Sequence, residues 1–322
     1  MISPDVIVER APAKLNLALH VRRRRADGYH DIETLFAFCR DGDVVTVADA
    51  AADSFAITGP FAGVLGGDSP DQETGNPPHR HAGLDTGSRC LAPSSEEEAG
   101  PRIKSGVTVE GWSHHNLVTR AADAFRDAFG IAQRHAIVLE KNLPVASGIG
   151  GGSADAAATL RALARRHGIA ADDPQLATIA ADLGADVPAC LAGRTAFGTG
   201  KGDALAPLEG WSDTPVLLVN PGIGVSTAAV FKTWDGIDRG ALDPADPRGG
   251  RNDLEPPARA LAPAIDRVVS LLAAQPGATL ARMSGSGATC FALFDTLAGR
   301  DAADAAIAAA APDWWRLATT LA

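Results

Sequence analysis

The glycine-rich segment Pro144–Asp155 constrains the possible folds of this chain more than any other segment. It reads Pro-Val-Ala-Ser-Gly-Ile-Gly-Gly-Gly-Ser-Ala-Asp, between a predicted short strand and a helix predicted from about Ser153 to His167. Glycine adopts positive φ angles at no steric cost, so successive backbone N–H groups can converge on one point. The unsatisfied N–H groups and the dipole at the start of the helix also favour an anion. The segment therefore predicts a cradle for a phosphate group.

A tight strand-to-helix turn is the alternative interpretation of this segment. Two glycines would suffice for such a turn, whereas four glycines and a capping serine exceed its needs, so we favour the phosphate interpretation. The common P-loop is excluded because no Gly-Lys-Ser/Thr follows, and the dinucleotide fingerprint is excluded because Ser153 stands where its last glycine belongs. A second candidate, Gly198-Thr-Gly-Lys-Gly202, lacks the hydroxyl that follows a P-loop lysine and is predicted to be a turn.

The charge balance limits the class of partner. The 322 residues contain 29 Lys and Arg against 39 Asp and Glu, a net charge of −10. This charge disfavours nucleic acid and anionic membranes as partners, and an anionic substrate would need locally placed donors. The run Arg22–Arg25 is the one strong positive patch, and both a solvated hairpin turn and a ligand contact stay open for it.

Cysteine and histidine usage predicts no metal centre. Four widely separated cysteines indicate neither a zinc site nor a disulfide framework and fit a reducing cytoplasm (Cys39, Cys90, Cys190 and Cys290). His79 and His81 lie in a polar stretch, Gly59–Ser105, which is predicted to be an exposed insertion. The N-terminal residues show no signal-peptide pattern, and no apolar run has the length of a membrane span. We therefore expect a cytoplasmic monomer or homodimer that acts on a small molecule.

The periodicity of apolar residues predicts an α+β fold. Groups of antiparallel strands alternate with helices, and repeating βαβ units are not indicated. The predicted strands are Val6–Glu9, Leu15–Val21, Asp31–Cys39, Val44–Val47, Ala136–Glu140, Val216–Asn220, Thr279–Met283, Thr289–Phe294 and Trp315–Thr319. The predicted helices, besides the one that follows the glycines, are Asn116–Phe129, Gln175–Leu183, Ser226–Trp234, Arg259–Ala274 and a surface helix at Ala302–Ala311.

Three segments together resemble the GHMP kinase superfamily. They are Ala11-Pro-Ala-Lys-Leu-Asn16, the phosphate-loop motif Pro144–Ala154 and the C-terminal glycine motif Met283–Ala288. Within the superfamily the chain resembles the family of 4-diphosphocytidyl-2-C-methyl-D-erythritol kinases. The segments that carry this finer resemblance are Arg25-Ala-Asp-Gly-Tyr-His30, Thr34-Leu-Phe36, Leu183-Gly-Ala-Asp-Val-Pro188, and Asn220-Pro-Gly222 leading to Thr227 and Phe231.

Three segments depart from the family pattern. Ala146-Ser147 replaces the usual glycine pair, and Ser284-Gly-Ser286 stands where Thr-Gly-Thr is common. Both changes keep small residues and access to the backbone. His114-His115 precedes Asn116 in place of an acidic residue, which leaves the contacts to adenine open.

The resemblance implies a two-lobed GHMP kinase fold. Residues 1–195 would form an N-terminal lobe like ribosomal protein S5 domain 2, and residues 196–322 a ferredoxin-like C-terminal lobe. The activity implied is ATP-dependent phosphorylation of the 2-hydroxyl of 4-diphosphocytidyl-2-C-methyl-D-erythritol, in non-mevalonate isoprenoid precursor synthesis. The alternatives are another GHMP kinase, of homoserine or mevalonate type, and a non-catalytic nucleotide-binding regulator. The presence of both Lys14 and Asp186 favours an enzyme over a regulator.

The resemblance also implies a role for each candidate site residue. Asp186 would be the catalytic carboxylate and Lys14 its partner, although Asp186 taken alone would be a surface residue at the end of a helix. The residues that would hold ATP are Pro144, Gly148, Gly150, Gly151, Gly152 and Ser153. The residues that would bind the cytidyl substrate are Asn16, Tyr29, His30, Thr227 and Phe231. Mg²⁺ is expected to bridge the ATP phosphates; no metal-binding cage is predicted, and the nearest candidate ligands are Ser153 and Asp155.

Overall fold

Two long antiparallel strands, β1 (Val6–Arg24) and β2 (His30–Ala50), form the frame of the first sheet. They pair along their whole length, from Val6 opposite Ala48 to Arg24 opposite His30. The sequence predicted two short strands in place of each, and this prediction was wrong. The register of β1 against β2 shifts at three irregularities, one of them beside Pro12. Such bulges let a strand continue past a residue that has no N–H to donate.

The computed structural model describes residues 6–65, 112 and 115–322 of the chain. The first sheet also contains β3 (Ser54–Thr58), β4 (Arg134–Glu140), β5 (Ala196–Thr199) and β6 (Ala204–Pro207). Its strand order is β3-β4-β2-β5-β6, with β1 paired to β2, and the β3–β4 pair is parallel. The turn predicted at 198–202 is present, since residues 200–203 connect β5 to β6.

The helices that accompany this sheet in the described residues are α1 (Ala62–Leu65), α2 (Leu117–Phe129), α3 (Gly151–His167), α4 (Pro174–Leu183) and α5 (Val187–Ala192). Helix α3 is the central one and packs on β1, β2, α2 and α5. Its alanines are buried, and small side chains let its backbone approach these neighbours closely. The helix begins two residues earlier than predicted, so Gly151 and Gly152 lie in its first turn.

The second sheet has the strand order β10-β7-β9-β8, with every pair antiparallel. Its strands are β7 (Pro215–Asn220), β8 (Ala278–Met283), β9 (Cys290–Phe294) and β10 (Trp315–Thr320). Its helices are α6 (Thr227–Lys232), α7 (Glu255–Leu261), α8 (Ala264–Ala273) and α9 (Leu297–Ala310). The single helix predicted at 259–274 is wrong. The chain breaks between α7 and α8 because Pro263 has no N–H with which to continue the first helix.

The α+β class predicted from the sequence is confirmed, and a shared core joins the two sheets. Leu15 and Leu17 of β1 are fully buried in one cluster with Leu218 of β7 and Phe291 of β9. The predicted boundary between residues 195 and 196 stays a prediction, although the pairing of β5 with β2 assigns residues 196–199 to the first sheet. The predicted insertion, with its two histidines and Cys90, lies outside the described residues except for 59–65. In the described ranges, no helix combines the length and the apolarity that crossing a membrane requires.

Candidate active site

A cavity of about 1070 Å³ lies between the start of α3, the middle of β1, α6 and the loop that follows β8. All the site residues predicted from the sequence line it: Lys14, Asn16, Tyr29, His30, Pro144, Gly148, Gly150, Gly151, Gly152, Ser153, Asp186, Thr227 and Phe231. They come from segments as distant in sequence as residues 14 and 231. The fold therefore brings the predicted residues together in one cavity.

The phosphate loop, defined here as Pro144–Ser153, needs its glycines for close backbone approach. Gly148 and Gly150 have φ angles of +76° and +65°, in the left-handed region that favours glycine. A Cβ on Gly148 would lie 2.5 Å from the carbonyl oxygen of Ser284. A Cβ on Gly150 would lie 3.0 Å from Cε of Lys14. The loop is therefore held against two neighbouring segments while it leads into the N-terminus of α3.

The second glycine loop, Met283–Ala288, is fastened to the phosphate loop by a buried serine. The Oγ of Ser284 donates to the carbonyl oxygen of Gly148 at 3.0 Å and accepts from the backbone N–H of Asn16 at 3.1 Å. A Cβ on Gly285 would lie 2.8 Å from the same Gly148 carbonyl oxygen. The two loops come from different sheets, so this contact fixes one wall of the cavity relative to the other.

Lys14 and Asp186 form an ion pair inside the cavity. The Nζ of Lys14 donates to Oδ2 of Asp186 at 3.0 Å and to Oδ1 of Asn16 at 3.2 Å. Only 4% of the Lys14 side chain is exposed, against 41% of the Asp186 side chain. Asp186 occupies the N-cap position of α5, but its side chain makes no capping hydrogen bond. The buried ammonium is thus held by two side-chain oxygens, while the partly exposed carboxylate stays accessible to a ligand.

A second lysine behind the phosphate loop was missed by the sequence reasoning. The Nζ of Lys141 lies 2.5 Å from Oδ2 of Asp43 and 2.7 Å from Oδ2 of Asp155, and all three side chains are buried. Burial raises the pKa of Asp155 to about 8. Burial alone would lower the pKa of Lys141. The two neighbouring carboxylates outweigh the effect of burial, so the pKa of the amine is raised. No local pattern signals this triad, because residues 43 and 141 meet only when β2 pairs with β4.

Aromatic rings gather at the end of the cavity near the β1–β2 turn. The ring of His30 lies 4.8 Å from that of Phe231, centroid to centroid, and the edge of Trp234 closes on it at 5.7 Å. Burial, and then the charge of Arg24, lower the pKa of His30. Tyr29 is 56% exposed. This end of the cavity therefore presents flat apolar faces and a neutral imidazole.

Three cations at the same end add a positive lining that the sequence reasoning did not assign. Arg24, Lys201 and Lys232 all line the cavity. The Nζ of Lys201 lies 5.1 Å from the ring centroid of Tyr29, within the range of a cation–π contact. Arg24 belongs to the arginine run whose role the sequence left open. Lys201 belongs to the segment predicted only as a turn, which it is. A search of the sequence for lysines in turns between predicted strands could have identified Lys201.

Thr227 and the second glycine loop are joined at the floor of this end. The Oγ1 of Thr227 and the Oγ of Ser286 lie 2.7 Å apart, within hydrogen-bonding distance. Ser226 caps α6 by accepting from the N–H of Ala229. The cap orients the first turn of α6. Thr227 and Phe231 of this helix line the cavity.

The sequence matches two family models. GHMP kinases N terminal domain covers residues 116–194, and GHMP kinases C terminal covers residues 232–314. The chain is 51% identical over 319 residues to 4-diphosphocytidyl-2-C-methyl-D-erythritol kinase of Rhizorhabdus wittichii, covering 97% of this chain and 94% of that protein. The protein of the same name from Novosphingobium aromaticivorans is 45% identical, with 97% and 92% covered.

Solved structures are similar over the whole fold. A crystal structure of 4-(cytidine 5'-diphospho)-2C-methyl-D-erythritol kinase matches with a TM-score of 0.71 and 30% identity, covering 98% of each chain. Homoserine kinase from Cytophaga hutchinsonii matches with a TM-score of 0.65 and 17% identity, covering 100% of this chain and 96% of that one. The second likeness concerns the fold alone.

Proposed function

Because this chain belongs to the 4-diphosphocytidyl-2-C-methyl-D-erythritol kinases, a family of GHMP kinases, we propose that Lys14 and Asp186 direct phosphoryl transfer in its cavity. The protein is an ATP-dependent small-molecule kinase of isoprenoid precursor synthesis. Its acceptor is the 2-hydroxyl of 4-diphosphocytidyl-2-C-methyl-D-erythritol. The observation that carries the assignment of residues is the 3.0 Å ion pair between Lys14 and Asp186, in one cavity with the phosphate loop.

The phosphate loop would hold the donor. Phosphoryl transfer needs alignment and stabilisation of charge on the moving group more than covalent help from the protein. The backbone N–H groups of Gly150, Gly151 and Gly152, at the start of α3, supply fixed dipoles for the phosphate oxygens of ATP. Because Gly150 packs on the stem of Lys14, the donor phosphate would lie close to the ion pair.

Mg²⁺ would enter with ATP, bound mainly to its phosphate oxygens. The carboxylates that line the cavity, Asp155 and Asp186, each place one oxygen on a lysine ammonium, so neither offers both of its oxygens to a metal ion. Among the described residues, no group of three or more His, Cys, Asp or Glu side chains could hold a metal ion. Asp155, a nearest candidate in the sequence, is tied to Lys141.

Asp186 would accept the proton of the attacking hydroxyl. In this step the 2-hydroxyl oxygen bonds to the γ-phosphorus, the bond from that phosphorus to the bridging oxygen of ADP breaks, and the hydroxyl proton moves to Asp186. Lys14 would orient the carboxylate and polarise the hydroxyl, and Asn16 would hold the ammonium of Lys14 in place. The exposure of Asp186 on the cavity side leaves it open to the acceptor.

The aromatic end of the cavity would hold the cytidine. Tyr29 and Phe231 supply faces on which a pyrimidine stacks, and His30 supplies a polar edge. Thr227 and Asn16 would contact the methylerythritol part of the substrate. The substrate diphosphate is an anion in a protein of net charge −10, so it needs local cations. Lys201 and Lys232 line that end and would supply them.

A panel of acceptors tests this function. Purified protein with Mg–ATP is offered 4-diphosphocytidyl-2-C-methyl-D-erythritol, homoserine or mevalonate, and ADP release and phosphorus NMR of the product are recorded. We expect turnover only with the cytidyl acceptor and a new phosphomonoester on its 2-oxygen. Turnover on homoserine or mevalonate alone would overturn the substrate. ATP binding without turnover on any acceptor would favour the non-catalytic regulator.

A further inference from the structure

His30 is held in one orientation by its neighbours. It is the first residue of β2 and is buried, with 8% of its surface exposed. The Phe231 ring lies against its face at an interplanar angle of 30°, and the Trp234 ring meets it edge-on at 85°. A half turn of this ring, which would put Cδ2 in the place of Nδ1 and Cε1 in the place of Nε2, would have to displace one of these neighbours. Its hydrogen bonds therefore depend on which nitrogen carries the proton.

Arg24 contacts one of the two ring nitrogens. It is the last residue of β1, lies directly opposite His30 in the strand pairing, and donates from Nε to Nε2 of His30 at 3.3 Å. A guanidinium has only donors, so this contact requires a lone pair on Nε2. A neutral imidazole with a lone pair on Nε2 carries its proton on Nδ1. A doubly protonated ring would bring two donors and two positive charges together.

The other charged groups near the ring do not offset this effect. Asp31, the next residue of β2, binds Arg25 at 2.8 Å, and Asp27 of the turn binds the same arginine. From α6, Lys232 lines the same cavity and adds a further positive charge. In the described part of the chain, no carboxylate has a recorded hydrogen bond to His30. Burial and Arg24 thus act together to lower the pKa of the ring.

We infer that Arg24 is a positioning residue, which keeps His30 in the neutral Nδ1–H form and so fixes the polar edge offered to the pyrimidine. The inference rests on the proposed role of His30 in binding cytidine. A neutral ring with one fixed N–H donates to an acceptor atom of the base, and cytosine offers such atoms at N3 and O2. The other neutral form would present a lone pair to the same atoms and lose the hydrogen bond.

The test combines NMR of the imidazole with kinetics on Arg24→Ala. Long-range proton–nitrogen correlation spectra report the tautomer and the pKa of His30, and the His30→Ala spectrum identifies its signals. In the unaltered protein we expect a neutral Nδ1–H ring down to a pH below the ordinary histidine pKa of about 6.5. In Arg24→Ala we expect the pKa to rise and the Nε2–H form to appear. The KM for the cytidyl substrate should rise about tenfold, with the KM for ATP unchanged.

Two further variants keep the inference falsifiable. Arg24→Lys retains a positive donor and should largely restore the tautomer and the KM, also serving as the test if the alanine variant does not fold. Arg23→Ala removes a neighbouring charge whose side chain is 76% exposed and paired with Asp31, and it should change neither. An unchanged His30 tautomer and pKa in Arg24→Ala would overturn the inference, as would equal rises in KM for both substrates. The NMR result is read without turnover, so it stays decisive even if the proposed substrate fails.

Discussion

Lys14 and Asp186 lie 172 positions apart in the sequence, yet the Nζ of one is 3.0 Å from Oδ2 of the other. Helix α3 explains how the fold holds them together. It packs on β1, which carries Lys14, and on α5, whose N-cap is Asp186. The same helix begins at the phosphate loop, so one rigid element positions the carboxylate, the ammonium and the phosphate cradle relative to one another. Proton transfer to Asp186 beside the bound phosphate depends on this arrangement.

Gly148→Ala should impair ATP binding as well as stability. An alanine at a positive φ costs roughly 1–2 kcal/mol, and here its Cβ would also lie 2.5 Å from the Ser284 carbonyl oxygen. Gly168→Ala is the matched control, since its φ is +65° and no atom lies within 4 Å of its Cβ. We expect only the Gly148 variant to lose ATP affinity in a calorimetric titration. Equal ATP affinities in the two variants would show that the contact between the glycine loops does not shape the cradle.

Asp155→Asn should change how stability depends on pH. Burial raises the pKa of Asp155 to about 8 in the folded protein, against about 3.9 when unfolded. Between these values the unfolded chain binds fewer protons than the folded one, so this carboxyl makes folding less favourable as pH rises. Asparagine does not titrate, so the variant lacks this loss of stability with rising pH.

Urea unfolding of both proteins from about pH 5 to about pH 8 measures the effect. The free energy of unfolding of Asp155→Asn, minus that of the unaltered protein, should increase across this range, by at most about 1.4 kcal/mol per pH unit. A difference that stays constant with pH would mean that Asp155 is already ionised in the folded protein.

His30→Ala should separate the two substrates in steady-state kinetics. The variant loses a polar contact and a stacked ring at the aromatic end, while the phosphate loop keeps its own contacts to Ser284 and to the backbone of Lys14. We expect the KM for the cytidyl substrate to rise at least about tenfold and the KM for ATP to stay within about twofold. A parallel loss for both substrates would indicate that His30 supports the fold of the cavity and does not read the base.

Most helices could be predicted from the sequence, because helix caps and apolar periodicity are local features of the chain. The candidate site residues were named through the family resemblance; they all line one cavity, and their roles stay predictions. The continuity of β1 and β2 was not predicted, because a bulge depends on the partner strand. The triad of Lys141, Asp43 and Asp155 was not predicted either, because it forms only through sheet pairing. The roles of Arg24 and Lys201 could not be assigned from the sequence for a related reason. A cation at a turn has a binding role only if the fold places a cavity beside it.

Asp186→Asn tests most directly whether Asp186, paired with Lys14, accepts the proton of the hydroxyl. The change keeps the size of the side chain but removes the group that would accept the hydroxyl proton. ADP release with Mg–ATP and the cytidyl substrate is measured for the variant and the unaltered protein, together with calorimetric binding of both substrates. We predict that kcat falls by a factor of about 10²–10⁴ while both substrates still bind. A kcat within a few fold of the unaltered enzyme would contradict a catalytic role for the Lys14–Asp186 pair.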